Sequence, residues 1–210
     1  MLLAFILEDA YRMRFAEQFN GVPGLAVKGT ALDAEPEDIL GFRPRAEPTA
    51  SEKTRFAPTE LDLWRGRLLQ GEVHDENAWE LGAAAGHAGL FATAAGVGRF
   101  ARLMLEGFAG RRLLAKPETL ARFARQSTVP GSSRALGWDT MLPSSSCGAS
   151  LTPRAIGHTG FTGTSLWIDP GQDLYVVFLT NRVHPTRENI QIQEVRRAVH
   201  DAIAREVGGL

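Results

Sequence analysis

The last third of the chain alternates short β-prone runs with turn residues, and this pattern constrains the fold more than any other feature of the sequence. Residues 165–168 and 174–179 are rich in β-branched and aromatic side chains, and the segment between them reads Asp-Pro-Gly-Gln-Asp. Proline, glycine and aspartate in that order favour a turn. The sequence therefore predicts a β-hairpin here, with a third strand over residues 155–162 and a fourth over 136–141.

Four other segments carry apolar residues at three- and four-residue steps, which predicts helices at about 2–18, 93–107, 117–124 and 186–207. Thr93 is a capping residue type, and Pro117 suits the first position of a helix. Residues 34–60 are rich in proline and charge and are predicted to form a connector. Together these elements predict an α/β fold of the α+β type, an antiparallel sheet flanked by helices.

Charge and composition exclude several classes of partner. Lysine and arginine total 23 against 24 acidic residues, a net charge of −1, which argues against electrostatic binding of nucleic acid. No stretch reaches the roughly 20 apolar residues of a membrane span. The apolar start, residues 1–7, has no preceding basic residue, so it predicts a core helix and no signal peptide. On this reading the chain as it stands is expected in the cytoplasm. Cys147 is the only cysteine and leaves the redox compartment open.

Two glycine-rich clusters carry the side chains that could perform chemistry. One covers residues 71–78 and 86–91, and the other covers 157–165. Glycine lets a ligand or a second backbone approach closely, and histidine supplies a donor or an acceptor near neutral pH. A purely structural role fits such loops as well. A zinc site is the competing chemical interpretation, but the sequence has no His-Glu-x-x-His or Cys-x-x-Cys spacing. No metal or other cofactor is predicted, although His74, Asp75, His87 and His158 are ligand types.

Seven short strings occur in order along the chain. They are Ala-Pro-Thr-Glu at 57–60, Trp-Arg-Gly at 64–66, Val-His-Asp-Glu-Asn-Ala at 73–78, Ala-Gly-His-Ala-Gly-Leu-Phe at 85–91, Leu-Gly-Trp-Asp at 136–139, His-Thr-Gly at 158–160 and Leu-Thr-Asn at 179–181. In these strings the chain resembles the C-terminal half of the serine β-lactamase and penicillin-binding-protein-like hydrolases, especially their esterase and D,D-carboxypeptidase-related branch. The resemblance implies part of a β-lactamase/transpeptidase-like fold. We expect residues 1–54 to be a divergent N-terminal helix and connector, and residues 55–210 to be the C-terminal portion of the family domain.

The resemblance also assigns roles to the second cluster. It implies that His158, Thr159 and Gly160 lie on a sheet-edge strand that pairs with an extended substrate, and that the Phe161 backbone N–H is an oxyanion donor. Where the family often has lysine this chain has His158, and an ordinary histidine is cationic only below about pH 6.5. Anion binding should therefore weaken as pH rises.

The first cluster lies, by the same resemblance, near the mouth of the site. His74, Asn77 and His87 are its candidate substrate-binding residues. Hydrogen bonds that fix the loop, or packing beneath the site, are the alternative roles for these side chains.

The nucleophile of this family is the serine of a Ser-x-x-Lys motif. The residues three positions before Lys28, Lys53 and Lys116 are leucine, alanine and leucine, so the motif does not occur in these 210 residues. The Tyr-x-Asn element is missing as well, because Tyr11 and Tyr175 are followed two positions on by methionine and valine.

The sequence thus predicts a truncated relative of hydrolases that cleave amides or esters through an acyl-enzyme. Complete relatives are often exported. The expected partner is a small-molecule or peptide substrate, without turnover by this chain alone. The alternative is a non-catalytic remnant that binds a peptide or acyl ligand. Apolar surface exposed by truncation should favour self-association.

Overall fold

A computed structural model of the chain describes residues 1–22, 25, 40–43, 48–111 and 114–208. It divides into two compact units. The first comprises Met1–Val97 and Asn181–Glu188, and the second comprises Gly98–Thr180 and Asn189–Leu210. The sequence predicted a boundary between residues 54 and 55 because the family resemblance begins there. That boundary stays a prediction. Pro36 and Pro44 of the predicted connector lie outside the described residues.

The first unit contains small helices and two strand pairs. Its elements are α1 (Leu2–Tyr11), α2 (Phe15–Asn20), β1 (Leu40–Phe42), α3 (Ala50–Lys53), β2 (Pro58–Asp62), β3 (Arg67–Gln70), α4 (Glu76–Glu80) and β4 (Leu90–Ala92). β1 pairs with β4 and β2 pairs with β3, both antiparallel. Within this unit Val73, Ala78, Ala83 and Ala85 form a small buried cluster.

The helix predicted over residues 2–18 is interrupted between α1 and α2. The prediction that its apolar start forms a core helix is also wrong, because α1 buries only Ala4. Arg12 adopts a left-handed conformation, φ 50°, and its N–H caps α1 by donating to the Glu8 carbonyl. The Glu8 carboxylate then accepts from the Phe15 N–H at 2.7 Å, where α2 begins. The turn brings the rings of Phe15 and Phe19 edge-on to Phe42, with centroids 5.6 and 5.4 Å away. Local periodicity gave no sign of these contacts with Phe42.

The second unit is built on a four-stranded antiparallel sheet in chain order. Its strands are β5 (Asp139–Thr140), β6 (Ile156–Thr159), β7 (Ser165–Asp169) and β8 (Leu174–Phe178), joined by α6 (Pro117–Ala124) and α7 (Ile192–Gly208). Helix α5 (Ala94–Phe108) begins in the first unit and continues into the second. Thr93 precedes it, and the Thr93 hydroxyl accepts from the Gly96 N–H at 3.1 Å. The predicted hairpin and the helices predicted at 93–107 and 117–124 are confirmed. The strand before the hairpin is shorter than predicted, and the last helix begins at Ile192 and not at residue 186. The predicted fourth strand is reduced to two residues.

Strand alternation sends side chains to both faces of this sheet. Ile156 and Ile168 pack with Met104 and Leu105 of α5 on one face, and Trp167 packs with Ala204 of α7 in a second cluster. Trp167, Ile156 and Ile168 are fully buried. Burial of a large apolar side chain contributes roughly 1.5–3 kcal/mol, so these residues anchor β6 and β7 firmly. In the described part of the chain, no helix has both the length and the apolar character needed to cross a membrane.

Candidate active-site strand and its supporting network

Strand β6 ends with His158 and Thr159 of the His-Thr-Gly triplet, and Gly160 follows it. Close packing requires glycine at Gly157 in the strand and at Gly160 beside it. A Cβ on Gly157 would lie 2.3 Å from a ring carbon of Trp167 and 2.5 Å from the Leu166 carbonyl. A Cβ on Gly160 would lie 2.2 Å from the Thr164 hydroxyl oxygen. Both glycines are therefore fixed by the sheet and the turn themselves.

The triplet was predicted on a sheet-edge strand, but β6 lies between β5 and β7. Its edge that faces β5 is only partly paired. β5 pairs with Ile156 and Gly157, and within the described ranges no strand continues beside His158 and Thr159 on that side. The Gly160 N–H donates to the Thr164 carbonyl across the β6–β7 pair at 2.7 Å. Because hydrogen-bonding direction alternates along a strand, the backbone groups of Thr159 point to the β5 side. The strand can thus accept an extended ligand at this edge.

His158 is exposed, and its tautomer follows from one contact. Its Nδ1 lies 2.9 Å from the Thr159 carbonyl oxygen. A carbonyl can only accept, so Nδ1 carries a proton and donates. In the neutral side chain Nε2 then holds the lone pair and acts as an acceptor, whereas a lysine in this place would only donate.

The turn after β6 carries Phe161, whose side chain is exposed. The Gly163 N–H donates to the Gly160 carbonyl at 3.2 Å, and the Thr180 hydroxyl donates to the Gly163 carbonyl at 2.7 Å. From α7, the guanidinium of Arg196 donates to the carbonyls of Gly160 and Thr164, each at 2.8 Å. Several hydrogen bonds therefore restrain the turn that contains Phe161, the predicted oxyanion donor.

The first unit places His74 in a buried ionic network. His74 Nε2 lies 2.7 Å from the Glu60 carboxylate, which also accepts from Arg187 Nε at 2.9 Å and from its terminal nitrogen at 2.7 Å. Hydrogen bonds from Arg187 dominate over burial and hold the pKa of Glu60 at about 2, and the contact with His74 acts in the same direction. These same bonds raise the pKa of Arg187. His74 thus contacts a carboxylate that is itself ionised at neutral pH.

The neighbouring residues of this loop are arranged around the start of α4. Asp75 caps the helix by accepting from the Ala78 N–H at 2.7 Å, and the same oxygen lies 3.0 Å from His87 Nε2. Burial raises the pKa of Asp75, but the hydrogen bonds from Ala78 and His87 lower it more, so the net shift is downward. Asn77 is exposed on α4. The structure therefore brings His87 to Asp75, whereas His74 turns to Glu60.

Arg65 binds the backbone of the same loop. Its guanidinium donates to the carbonyls of Val73 and His74, both at 2.7 Å, and forms an ion pair with Asp62 at 3.0 Å. The ring of Trp79 lies 5.2 Å from it, which is within range of a cation–π contact. The Trp-Arg-Gly string is thus explained by loop support.

Three residues of these networks were not singled out from the sequence as site residues. Glu60 belongs to a string quoted for the resemblance, but nothing local marks Arg187, which lies 127 positions away from it, or Arg196. His158, Thr159, Gly160 and Phe161 lie together in the second unit, and His74, Asn77 and His87 belong to the first. No group of three or more potential metal-ligating side chains occurs in the described residues.

Comparison with known proteins identifies the family. The model of the Beta-lactamase family matches residues 3–200. The chain therefore belongs to the Beta-lactamase family, a relation to serine hydrolases that the His-Thr-Gly strand had indicated. The match begins at residue 3, so it also includes the segment 1–54, in which the sequence showed no convincing resemblance.

Two Salmonella proteins are among the relatives that match most of this chain. A protein of Salmonella gallinarum named "Putative D-alanyl-D-alanine carboxypeptidase" is 34% identical over 205 residues, which cover 91% of this chain and 46% of that protein. The protein of the same name from Salmonella agona is 33% identical over the same length and coverage. The chain thus spans about half the length of the curated relatives it matches.

A solved structure agrees on the fold. Simvastatin Synthase (LovD) from Aspergillus terreus, in its unliganded selenomethionyl form, aligns with a TM-score of 0.61 over 97% of this chain and 53% of that protein. The sequence identity is 14%, so this likeness concerns the fold alone. The predicted β-lactamase/transpeptidase-like architecture is confirmed.

Proposed function

We propose that this chain supplies the substrate-binding strand and oxyanion donor of a serine hydrolase site for amide or ester bonds, and that it does not turn over substrate alone. The partly unpaired edge of β6 at Thr159 carries the proposal, because an extended acyl-peptide can add to it through main-chain hydrogen bonds. The His-Thr-Gly sequence places polar side chains at the same edge.

The sequence supports the proposed absence of turnover. No Ser-x-x-Lys occurs in the 210 residues, and without a nucleophile there is no tetrahedral intermediate for the Phe161 N–H to stabilise. The same fact favours a second candidate function. In that case the chain is a non-catalytic module that holds a peptide or acyl ligand at β6.

Binding and turnover measured on the same sample test this proposal. The purified chain is titrated with an N-acyl-D-Ala-D-Ala peptide by calorimetry, and is then mixed with a chromogenic ester. We expect saturable peptide binding and no ester hydrolysis above the buffer rate. Peptide binding that persists unchanged in the Thr159→Ala and His158→Ala variants would contradict the assignment to β6.

We also propose that the chain self-associates through α1. Leu2, Leu3 and Ile6 are 72%, 66% and 54% exposed, and α1 buries only Ala4. The first seven residues contain no charged side chain, so this surface is one that a second copy can cover.

Sedimentation at increasing concentration tests the association. We expect the wild type to form dimers or larger species, and Ile6→Glu to shift the population to monomers. Leu63→Glu is the matched control, because Leu63 is 92% exposed at the turn after β2, in the same unit. Equal behaviour of the two variants would place the association elsewhere.

A further inference from the structure

The turn between β6 and β7 is held by a buried arginine that neither the family motif nor the sequence analysis includes. Arg196 lies on α7 and is 6% exposed. One of its terminal nitrogens donates to the Gly160 carbonyl and to the Thr164 carbonyl, each at 2.8 Å. These two residues stand at the two ends of the turn, so one guanidinium nitrogen joins both.

The other contacts of the turn leave it little freedom. The Gly160 N–H donates to Thr164, and the Gly163 N–H donates back to Gly160. The side chain of Thr180 holds the Gly163 carbonyl. Hydrogen bonds from a charged donor are stronger than those from neutral groups, so the contacts with Arg196 are the strongest of the set.

We propose that Arg196 is a positioning residue: it sets the conformation of residues 160–164 and thereby aims the backbone of Phe161 and the edge of β6 at the ligand. The inference rests on the proposed function, because it deepens the role of the same strand. Arg196 acts through the main chain of the turn. A catalytic site needs its donors within a fraction of an ångström of their working position, which a supporting contact of this kind secures.

Substitutions of Arg196 and of its neighbour Arg197 distinguish a positioning role of Arg196 from general stabilisation of α7. Arg196→Gln removes the charged donor to the turn. Arg197→Gln is the matched control, because Arg197 follows it on the same helix and donates at 3.0 Å to the Pro143 carbonyl, outside the turn. Arg196→Lys keeps the positive charge but replaces the planar guanidinium with a compact ammonium, and it serves as the second variant where the glutamine variant does not fold.

Amide hydrogen exchange of Gly160 and Gly163 is the first readout, since both N–H groups donate within the turn. We expect exchange at least tenfold faster in Arg196→Gln, with an intermediate effect in Arg196→Lys and less than a twofold change in Arg197→Gln. Equal exchange in the two glutamine variants overturns the proposal. This measurement needs no ligand, so it decides whether Arg196 holds the turn even if the proposed function fails.

Affinity for the N-acyl-D-Ala-D-Ala peptide is the second readout. We expect Kd to rise about tenfold in Arg196→Gln and to stay within twofold in Arg197→Gln, with both variants compared at temperatures well below their Tm. An equal loss of affinity in both variants indicates general support by α7 and overturns the positioning role. A wild type that does not bind the peptide refutes the proposed function, and exchange then reports on the turn alone.

Discussion

His74 and His158 lie in similar glycine-rich sequences, yet the fold treats them in opposite ways. His74 is buried in the first unit, 2.7 Å from a carboxylate that Arg187 also binds. His158 is exposed in the second unit, where its Nδ1 lies 2.9 Å from the carbonyl oxygen of the next residue. A buried histidine in contact with a carboxylate can fix a loop, whereas an exposed histidine is accessible to a ligand. We therefore propose loop support for His74 and ligand contact for His158.

Removing the charge of Glu60 should produce the largest effect on stability. Breaking a buried ion pair costs about 3–5 kcal/mol, and the partial exposure of Arg187 reduces this to about 2–3 kcal/mol. We expect Glu60→Gln to lower the urea midpoint accordingly. Glu188→Gln is the control, since Glu188 is exposed and lies in the same unit. A change within about 0.5 kcal/mol in both variants would show that the network contributes little.

The two histidines can be compared directly by truncation. His74→Ala removes a partner of a buried carboxylate and should destabilise the chain by about 1–3 kcal/mol. His158→Ala changes an exposed side chain and should stay within about 0.5 kcal/mol. Denaturant unfolding of both variants under the same conditions measures the two changes in unfolding free energy. A larger loss from His158→Ala would reverse the assignment of the two roles.

Acid should weaken the first cluster through Glu60. Because the pKa of Glu60 falls from about 4.5 to about 2 on folding, its ionisation contributes stability that is fully present above about pH 4.5. That contribution is lost progressively as pH falls towards 2. We expect the difference in unfolding free energy between wild type and Glu60→Gln to shrink over this interval. If the unfolding free energies of the two proteins changed in parallel with pH, the proposed contribution of the Glu60 network would be contradicted.

Ligand binding at the second cluster should depend on pH through His158. A carboxylate-bearing peptide that binds only the cationic imidazole should lose affinity between pH 5.5 and 7.5. His158→Lys should abolish this dependence, because lysine stays cationic in that range, and His158→Gln should bind weakly at both values. Calorimetric titrations at the two pH values measure the change. A wild-type affinity that is independent of pH would remove His158 from anion binding.

The elements that the sequence predicted well are those set by local signals. The turn sequence between β7 and β8, the proline at the start of α6 and the Thr93 cap each act within a few residues. The elements that it did not predict depend on distant partners. Arg12 departs from helical geometry where Phe15 and Phe19 reach Phe42, and Glu60 meets Arg187 across 127 positions. No periodicity encodes such pairs.

The candidate site divides in the same way. The His-Thr-Gly triplet could be located from residue order alone, and β6 lies where it was predicted. His74 is buried and His158 is exposed. This difference depends on which parts of the chain pack against each side chain. The support of the turn by Arg196 depends on the packing of α7 beneath it, which composition and spacing do not reveal.

The central claim is that this chain carries the ligand strand of a Beta-lactamase-family site without its nucleophile. Intact-protein mass spectrometry after incubation with a penicillin tests it most directly, because an acyl-enzyme retains the mass of the opened β-lactam. We expect the mass of the chain to stay unchanged while the D-Ala-D-Ala peptide still binds. A covalent adduct that maps to a serine of this chain would contradict the account.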